Sequence, residues 1–74
     1  MSTMIRSTGR IASWDEQRGC GSIVLAAEQR EVLMNIGNWT ESDAEPRAGQ
    51  RVSFVEATTR NGQPVARSVR RCAI

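Results

Sequence analysis

Arg18-Gly19-Cys20-Gly21-Ser22-Ile23 is the stretch on which the interpretation of the fold depends. The polar segment Asp15-Glu16-Gln17-Arg18-Gly19 leads into it and ends in glycine, which is typical of a hairpin loop. The residues that follow alternate in character and predict a strand from about Cys20 to Ala26. Glycine at alternate positions removes side chains from one strand face, which favours a close backbone approach or a strongly coiled strand.

Four more strands are predicted on either side of this one, separated by turn signals. They cover residues 9–14, 31–36, 51–57 and 64 to about 71. Gly37 ends the third predicted strand, and an Asn61-Gly62 turn separates the last two. Residues 26–30 are too few for a stable helix and are expected to form a loop. Residues 38–48 form an acidic connection in which Trp39 is expected to pack as the anchor, and residues 1–8 are expected to fray.

The alternation of apolar and polar residues along each strand predicts which side chains point inward and which point outward. The expected inward residues of the second and third strands are Gly21, Ile23, Leu25, Val32, Met34 and Ile36, and the expected outward residues are Cys20, Ser22, Val24, Glu31, Leu33 and Asn35. Five short strands in a small chain must close, or nearly close, to hide their edges. We therefore expect an all-β fold, a five-stranded antiparallel OB-fold barrel, with a small SH3-like barrel as the alternative.

Length and composition restrict the class of protein. A chain of 74 residues is expected to form one domain over residues 1–74, with its core at about residues 8–71. Because the sequence shows no signal segment and no apolar run that could span a bilayer, a soluble cytoplasmic protein without membrane association is expected. Cys20 and Cys72 are expected to be reduced thiols. The absence of histidine removes the commonest general base and metal ligand, so no catalytic residue, metal or cofactor is expected.

The net charge of +2 is distributed unevenly along the chain. Residues 1–14 carry +2, residues 15–56 carry −4 and residues 57–74 carry +4, and every basic residue is arginine. The unopposed C-terminal arginines are Arg60, Arg67, Arg70 and Arg71. Arginine binds phosphate with two parallel hydrogen bonds, so one interpretation is a surface for an anionic ligand. A solvated strand face remains the other interpretation.

In chain order, the residues resemble the cold-shock domain family of nucleic-acid-binding OB folds. Thr8-Gly9-Arg10-Ile11-Ala12-Ser13-Trp14 is similar to the family's opening Thr-Gly-x-Val-Lys-Trp-Phe, and residues 18–23 are similar to its first RNP motif, Lys-Gly-Phe-Gly-Phe-Ile. Val32-Leu33-Met34-Asn35-Ile36 stands where Val-Phe-Val-His-Phe is found, and residues 48–54 resemble Glu-Gly-Gln-x-Val-x-Phe. Residues 62–69 resemble Gly-Pro-Gln-Ala-x-x-Val with one residue added. The resemblance implies an apolar core at Ile11, Ile23, Val32, Val52, Phe54 and Val69.

The sequence departs from the family where the family stacks bases. Ser13 stands in place of a tryptophan, and Asn35 stands in place of a histidine. Phenylalanines of the family are replaced at three further positions, Cys20, Ser22 and Leu33. Trp14 keeps a ring in place of a phenylalanine, and it is expected either to stack a base or to cover the first hairpin. The predicted nucleic-acid-binding residues are Ser13, Trp14, Arg18, Cys20, Ser22, Leu33, Asn35 and Arg60. With arginines and Trp14 as the main contacts, binding to single-stranded RNA or DNA is expected to be weak and not sequence-specific.

The alternative function is protein contact. If Leu33 and Val24 both face outward, they form an exposed apolar strip on the former ligand face. Such a strip favours a degenerate cold-shock domain that binds a protein partner or forms a homodimer. An enzyme has the least support, because the sequence holds no histidine, no suitably paired carboxylates and no phosphate-binding loop.

Overall fold

The computed structural model describes residues 6–72, in which five strands form a closed barrel. The strands are β1 (Ser7–Asp15), β2 (Cys20–Leu25), β3 (Glu31–Asn35), β4 (Arg51–Thr58) and β5 (Pro64–Arg71), and a 3-10 helix, Ile36–Asn38, follows β3. Their order around the barrel is β1-β2-β3-β5-β4. The β3–β5 pair is parallel and the other pairs are antiparallel. The prediction of an all-β OB-type barrel is confirmed.

The β1–β2 hairpin forms where the sequence predicts it, and its two glycines serve different purposes. Gly19 has a φ of +66°, in the left-handed region that favours glycine, and it closes the loop with a hydrogen bond from its N–H to the Asp15 carbonyl. A Cβ atom on Gly21 would lie 2.1 Å from the carbonyl oxygen of Ser13. Only glycine therefore allows β1 and β2 to approach as closely as they do at this point.

Nine buried apolar side chains fill the barrel among the described residues. The six core positions implied by the family resemblance, Ile11, Ile23, Val32, Val52, Phe54 and Val69, are each at most 1% exposed. Leu25 and Met34 are buried as the alternation predicts, and Ala66 completes the set. Trp39 packs against this core and donates its indole N–H to the Ala44 carbonyl at 2.8 Å, which confirms its predicted role under the acidic connection.

Two bulges interrupt the regular alternation. In β1 the register with β2 shifts between Ile11 and Ser13, so Ala12 is the extra residue. In β5 the register with β4 shifts opposite Phe54, and Ser68 takes a φ of +51°. The inward residues of β5 are consequently three positions apart, which is why Ala66 is buried and Val65 is not. A strict period of two does not predict this spacing.

Three expectations about the chain are wrong in detail. Ile36 was expected to point inward, but it is 47% exposed because β3 ends at Asn35 and the chain turns into the 3-10 helix. Ser22 lies on the outer face, yet it is only 8% exposed because its neighbours cover it. Ser7 and Thr8 were expected to fray but belong to β1, whereas residues 1–5 of that expectation lie outside the described residues.

The connections match their prediction more closely. Residues 26–30 form the expected loop between β2 and β3, and the Asn61-Gly62 turn joins β4 to β5, with Gly62 at a φ of +82°. Cys20 and Cys72 are free thiols. Within residues 6–72, no helix is long and apolar enough to cross a membrane.

Candidate functional site

Strand pairing places outward residues of four strands in one row. Ser13 pairs with Ser22, Ser22 with Leu33, and Leu33 with Val65. Because directly paired residues point to the same side of a sheet, all four side chains lie on the outer face of the barrel. A second row two residues away joins Asp15, Cys20 and Asn35. The two rows together bring five of the predicted binding residues onto a single surface.

A groove of about 740 Å³ runs over this surface, and we refer to it as the serine groove. Six of the eight predicted binding residues line it, namely Ser13, Trp14, Cys20, Ser22, Leu33 and Asn35. Thr59, Gln63 and Val65 of the β4–β5 region also line it and were not predicted. Their contribution depends on the parallel pairing of β3 with β5, for which a single sequence carries no local signal.

The two predicted arginines do not line the serine groove. Arg18 lies in the β1–β2 loop, with its side chain 82% exposed and its Nε 3.9 Å from the Asp15 carboxylate. Arg60 is exposed in the turn between β4 and β5, next to Thr59. Both side chains are therefore carried by loops that border the groove.

Trp14 belongs to the opposite side of the sheet from its neighbours in sequence. It pairs with Gly21, which in turn pairs with the buried Met34, and it is partly buried against the core. It lines an end of the serine groove and also the surface formed with Gln17 and Pro46. Of the two roles expected for this residue, the packing favours covering the first hairpin.

Several polar side chains of the serine groove are paired with one another or with nearby backbone. The hydroxyl oxygens of Ser13 and Ser22 lie 3.0 Å apart, and the Asn35 Oδ1 accepts a hydrogen bond from the Gly37 N–H at 3.0 Å. Asp15 and Glu31 contribute carboxylates to the lining, and no arginine does so among the residues that the structure describes. The groove thus offers apolar contact and neutral hydrogen bonds, with little attraction for phosphate.

Potential metal ligands do not cluster in the described part of the chain. No group of three or more histidine, cysteine, aspartate or glutamate side chains is placed to hold a metal ion among residues 6–72. With no histidine in the sequence, neither serine hydroxyl has the usual general base beside it.

Comparison with known proteins establishes the fold. No family model matches the sequence, and no curated protein matches it. The structure is similar to a solved structure of cold-shock domains 4–6 of Drosophila Unr, with a TM-score of 0.79 and 19% sequence identity. The similarity covers 93% of this chain and 27% of that one, so the chain corresponds in length to roughly one domain of that protein. The barrel is therefore a cold-shock domain fold.

Proposed function

We propose that this protein binds single-stranded RNA or DNA through the serine groove, weakly and with little base preference. The supporting observation is geometric: the positions that match the family's stacking residues come together in one groove on a barrel of the cold-shock fold. Cys20, Ser22 and Leu33 lie on its outer face at those positions, where the family has rings. This arrangement supports a base-binding surface that keeps its backbone frame and lacks its stacking groups.

The free energy that aromatic stacking would contribute to binding explains why weak binding is proposed. Each base stacked on an aromatic ring contributes roughly 1–3 kcal/mol, so losing about four of the five replaced rings as stacking platforms corresponds to about 4–12 kcal/mol if the losses add. Leu33, which is 44% exposed, and the neighbouring Val65 replace stacking by apolar contact alone. Arg18 and Arg60 supply charge from the bordering loops, which makes the binding sensitive to salt.

The proposed role is binding without catalysis in a cytoplasmic protein. Ser13 and Ser22 share their hydrogen bond with each other, and nothing beside them activates either hydroxyl. The proposal covers both RNA and DNA, and oligonucleotides of both kinds are used to test it.

Protein contact is a second candidate function, favoured by one specific observation. Leu33 and Val65 are in register on neighbouring strands and form an apolar pair on the outer face. Val24 does not extend this pair, because it lies in the row of Arg10 and Glu31. A protein partner or a second copy of the chain would cover Leu33 and Val65 together.

A titration of the isotope-labelled domain with oligothymidylate and oligouridylate tests the proposed function. At low salt, backbone amide shifts are expected at Ser13, Cys20, Ser22 and Leu33, and they should weaken steeply as salt is added. An absence of shifts at high micromolar oligonucleotide would contradict nucleic-acid binding.

Size-exclusion chromatography over a concentration series distinguishes protein contact, the second candidate function, from nucleic-acid binding. Self-association that disappears in Leu33→Asp, together with unchanged spectra in the titration, would favour protein contact. Leu33 suits this purpose because its side chain is exposed, so the substitution leaves the core intact.

A further inference from the structure

Five arginines lie on or beside the outer face of β1, β4 and β5, next to the serine groove but outside its lining. We call this set the arginine surface; its members are Arg6, Arg10, Arg51, Arg67 and Arg70. Arg10 pairs directly with Arg51 across β1 and β4. One row further, Ser53 pairs with Arg70, and beyond the bulge Val55 pairs with Arg67. Successive rows on one strand face are about 7 Å apart, which is similar to the separation of neighbouring phosphates in an extended single strand.

The arginine surface contains no acidic residue to neutralise it. The other outward residues between its members are Thr8, Ser53 and Val55. Within residues 6–72, the ion pairs involve Arg18, Arg30 and Arg71, and none involves a member of the arginine surface. Glu31 shares the row of Arg10 but lies two strands away, beyond Val24. The guanidinium groups other than that of Arg6 are outside the ion pairs and are available to a ligand.

Arg6 is fixed within this surface by the backbone. Its guanidinium donates to the Ser53 carbonyl at 2.9 Å and also to the Ser68 carbonyl at the bulge. Partial burial, followed by the positive charge of Arg70, lowers the pKa of Arg6 below its ordinary value. The positive charge of Arg70 thus adds to the effect of burial at this position.

A pocket with apolar walls lies beside the Arg10–Arg51 pair. Its volume is about 490 Å³, and Val24 and Leu25 contribute to its lining along with both arginines. Like charges directly opposite on neighbouring strands destabilise a sheet, so this pair is unfavourable for the barrel alone. An anion bound between the two guanidinium groups would remove that repulsion, and the pocket leaves room for an uncharged group attached to the anion.

We propose that the arginine surface is a second binding surface, which holds the phosphates of a single-stranded nucleic acid while the serine groove contacts its bases. The choice of ligand rests on the proposed function. Arg67 is the next outward residue after Val65 on β5, so the two surfaces are continuous along that strand. Binding bases and phosphates on two surfaces also explains how a groove that arginine does not line can bind a polyanion, because the phosphates are bound on the adjoining face.

Salt-dependent affinities of charge-matched variants test this inference. The probe is a fluorescein-labelled oligothymidylate of about 12 nucleotides, within the range of OB-fold site sizes. Arg51→Gln, Arg67→Gln and the double variant are compared with Arg47→Gln, which removes the same charge from the exposed β3–β4 connection. Arg6 is left unchanged because it also holds the β5 bulge.

Each substitution on the arginine surface is expected to lower the slope of log K against log salt by about 0.7, the value for one phosphate contact on a single strand. The affinity at about 50 mM salt should fall on the order of tenfold per arginine. Arg47→Gln should leave the slope unchanged. Equal slopes in all four variants would overturn the inference while leaving the proposed function standing.

If the wild-type domain binds no oligonucleotide, the proposed function fails and a second titration decides the inference separately. Inorganic tripolyphosphate then serves as an anion without bases. Amide shifts at Arg51, Ser53 and Arg67 that are lost in the double variant would support an anion surface, and their absence would overturn it. An acidic polypeptide that shifts the same amides more strongly than tripolyphosphate would overturn nucleic-acid phosphate as the ligand.

Discussion

The side-chain oxygens of Ser13 and Ser22 lie 3.0 Å apart on neighbouring strands, at two positions where cold-shock domains have aromatic rings by the family resemblance. The bulge at Ala12 sets this contact, because the register of β1 and β2 shifts there. The bond satisfies the hydroxyl of Ser22, which is only 8% exposed. The barrel therefore closes without rings on this face, so its fold and its stacking chemistry are separable.

Restoring rings in the serine groove is expected to strengthen oligonucleotide binding. Cys20 and Leu33 are better positions than Ser22, because Leu33 is exposed and Cys20 is half-exposed, whereas a ring at Ser22 would displace the hydroxyl pair. In Cys20→Phe/Leu33→Phe, each ring should contribute roughly 1–3 kcal/mol, or on the order of tenfold in affinity. Fluorescence anisotropy with labelled oligothymidylate at low salt measures the change.

Ile36→Phe is the matched control for the restored rings. Ile36 is 47% exposed in the 3-10 helix and does not line the serine groove, so a ring there should leave the affinity unchanged. If both variants bind no better than wild type, the groove itself is unsuited to bases and protein contact becomes the preferred function.

Gly21→Ala is expected to destabilise the barrel severely. The added Cβ would lie 2.1 Å from the Ser13 carbonyl oxygen, and because that oxygen is backbone, β1 and β2 would have to separate. Overpacking of this kind costs about 1–3 kcal/mol and more when backbone must move. Gly37→Ala is the control, since its new Cβ would meet nothing closer than the Asn35 Oδ1 at 3.5 Å. Urea unfolding should show a large loss for the first variant and almost none for the second; equal losses would contradict the assigned close approach.

The sequence predicts the barrel because its core residues alternate with the period of a strand. Ile11, Ile23, Val52 and Phe54 all occupy such positions and are buried. The alternation fails where the backbone departs from a regular strand, as at Ser68 with its positive φ. Ala66 rather than Val65 therefore points into the core, and this orientation depends on how β5 pairs with β4.

The candidate site was predictable to the extent that it lies on three consecutive strands. Cys20, Ser22 and Leu33 come together because β1, β2 and β3 are consecutive antiparallel strands. The arginine surface joins β1 to β4 and β5, which are remote in sequence, so its five members appear only as scattered charges along the chain. The C-terminal excess of arginine indicates part of the surface but leaves out Arg6, Arg10 and Arg51.

The free energy of unfolding is expected to depend on pH through the ionisation of Glu56. The hydrogen bond from the Arg30 guanidinium lowers the pKa of Glu56 below its ordinary value of 4.5, and burial partly opposes this effect. Because the folded state holds the carboxylate more strongly ionised than the unfolded state, the stabilisation is present above about pH 4.5 and is lost as the pH falls through the lowered value. Glu56→Gln should therefore be less stable than wild type at neutral pH, and the difference should shrink in acid.

Denaturant unfolding at a series of pH values measures this difference. Glu16→Gln is the control, because the exposed Glu16 takes part in no ion pair in the described chain. A gap between Glu56→Gln and wild type that persists unchanged below pH 4 would show that the Arg30–Glu56 pair contributes no linked stability.

Arg51→Gln is expected to stabilise the free domain at low salt, although it weakens binding. Arg10 and Arg51 are directly opposite across β1 and β4, and no carboxylate on the outer face separates their charges. Cross-strand pairs change stability by roughly 0.2–1 kcal/mol, and relief of a like-charge pair should raise the free energy of unfolding by an amount in this range. The gain should disappear near 1 M salt, where the screening length is only about 3 Å. Arg47→Gln removes the same net charge outside the arginine surface, so a gain confined to Arg51→Gln assigns the repulsion to this pair, whereas equal gains would attribute it to the net charge of the chain.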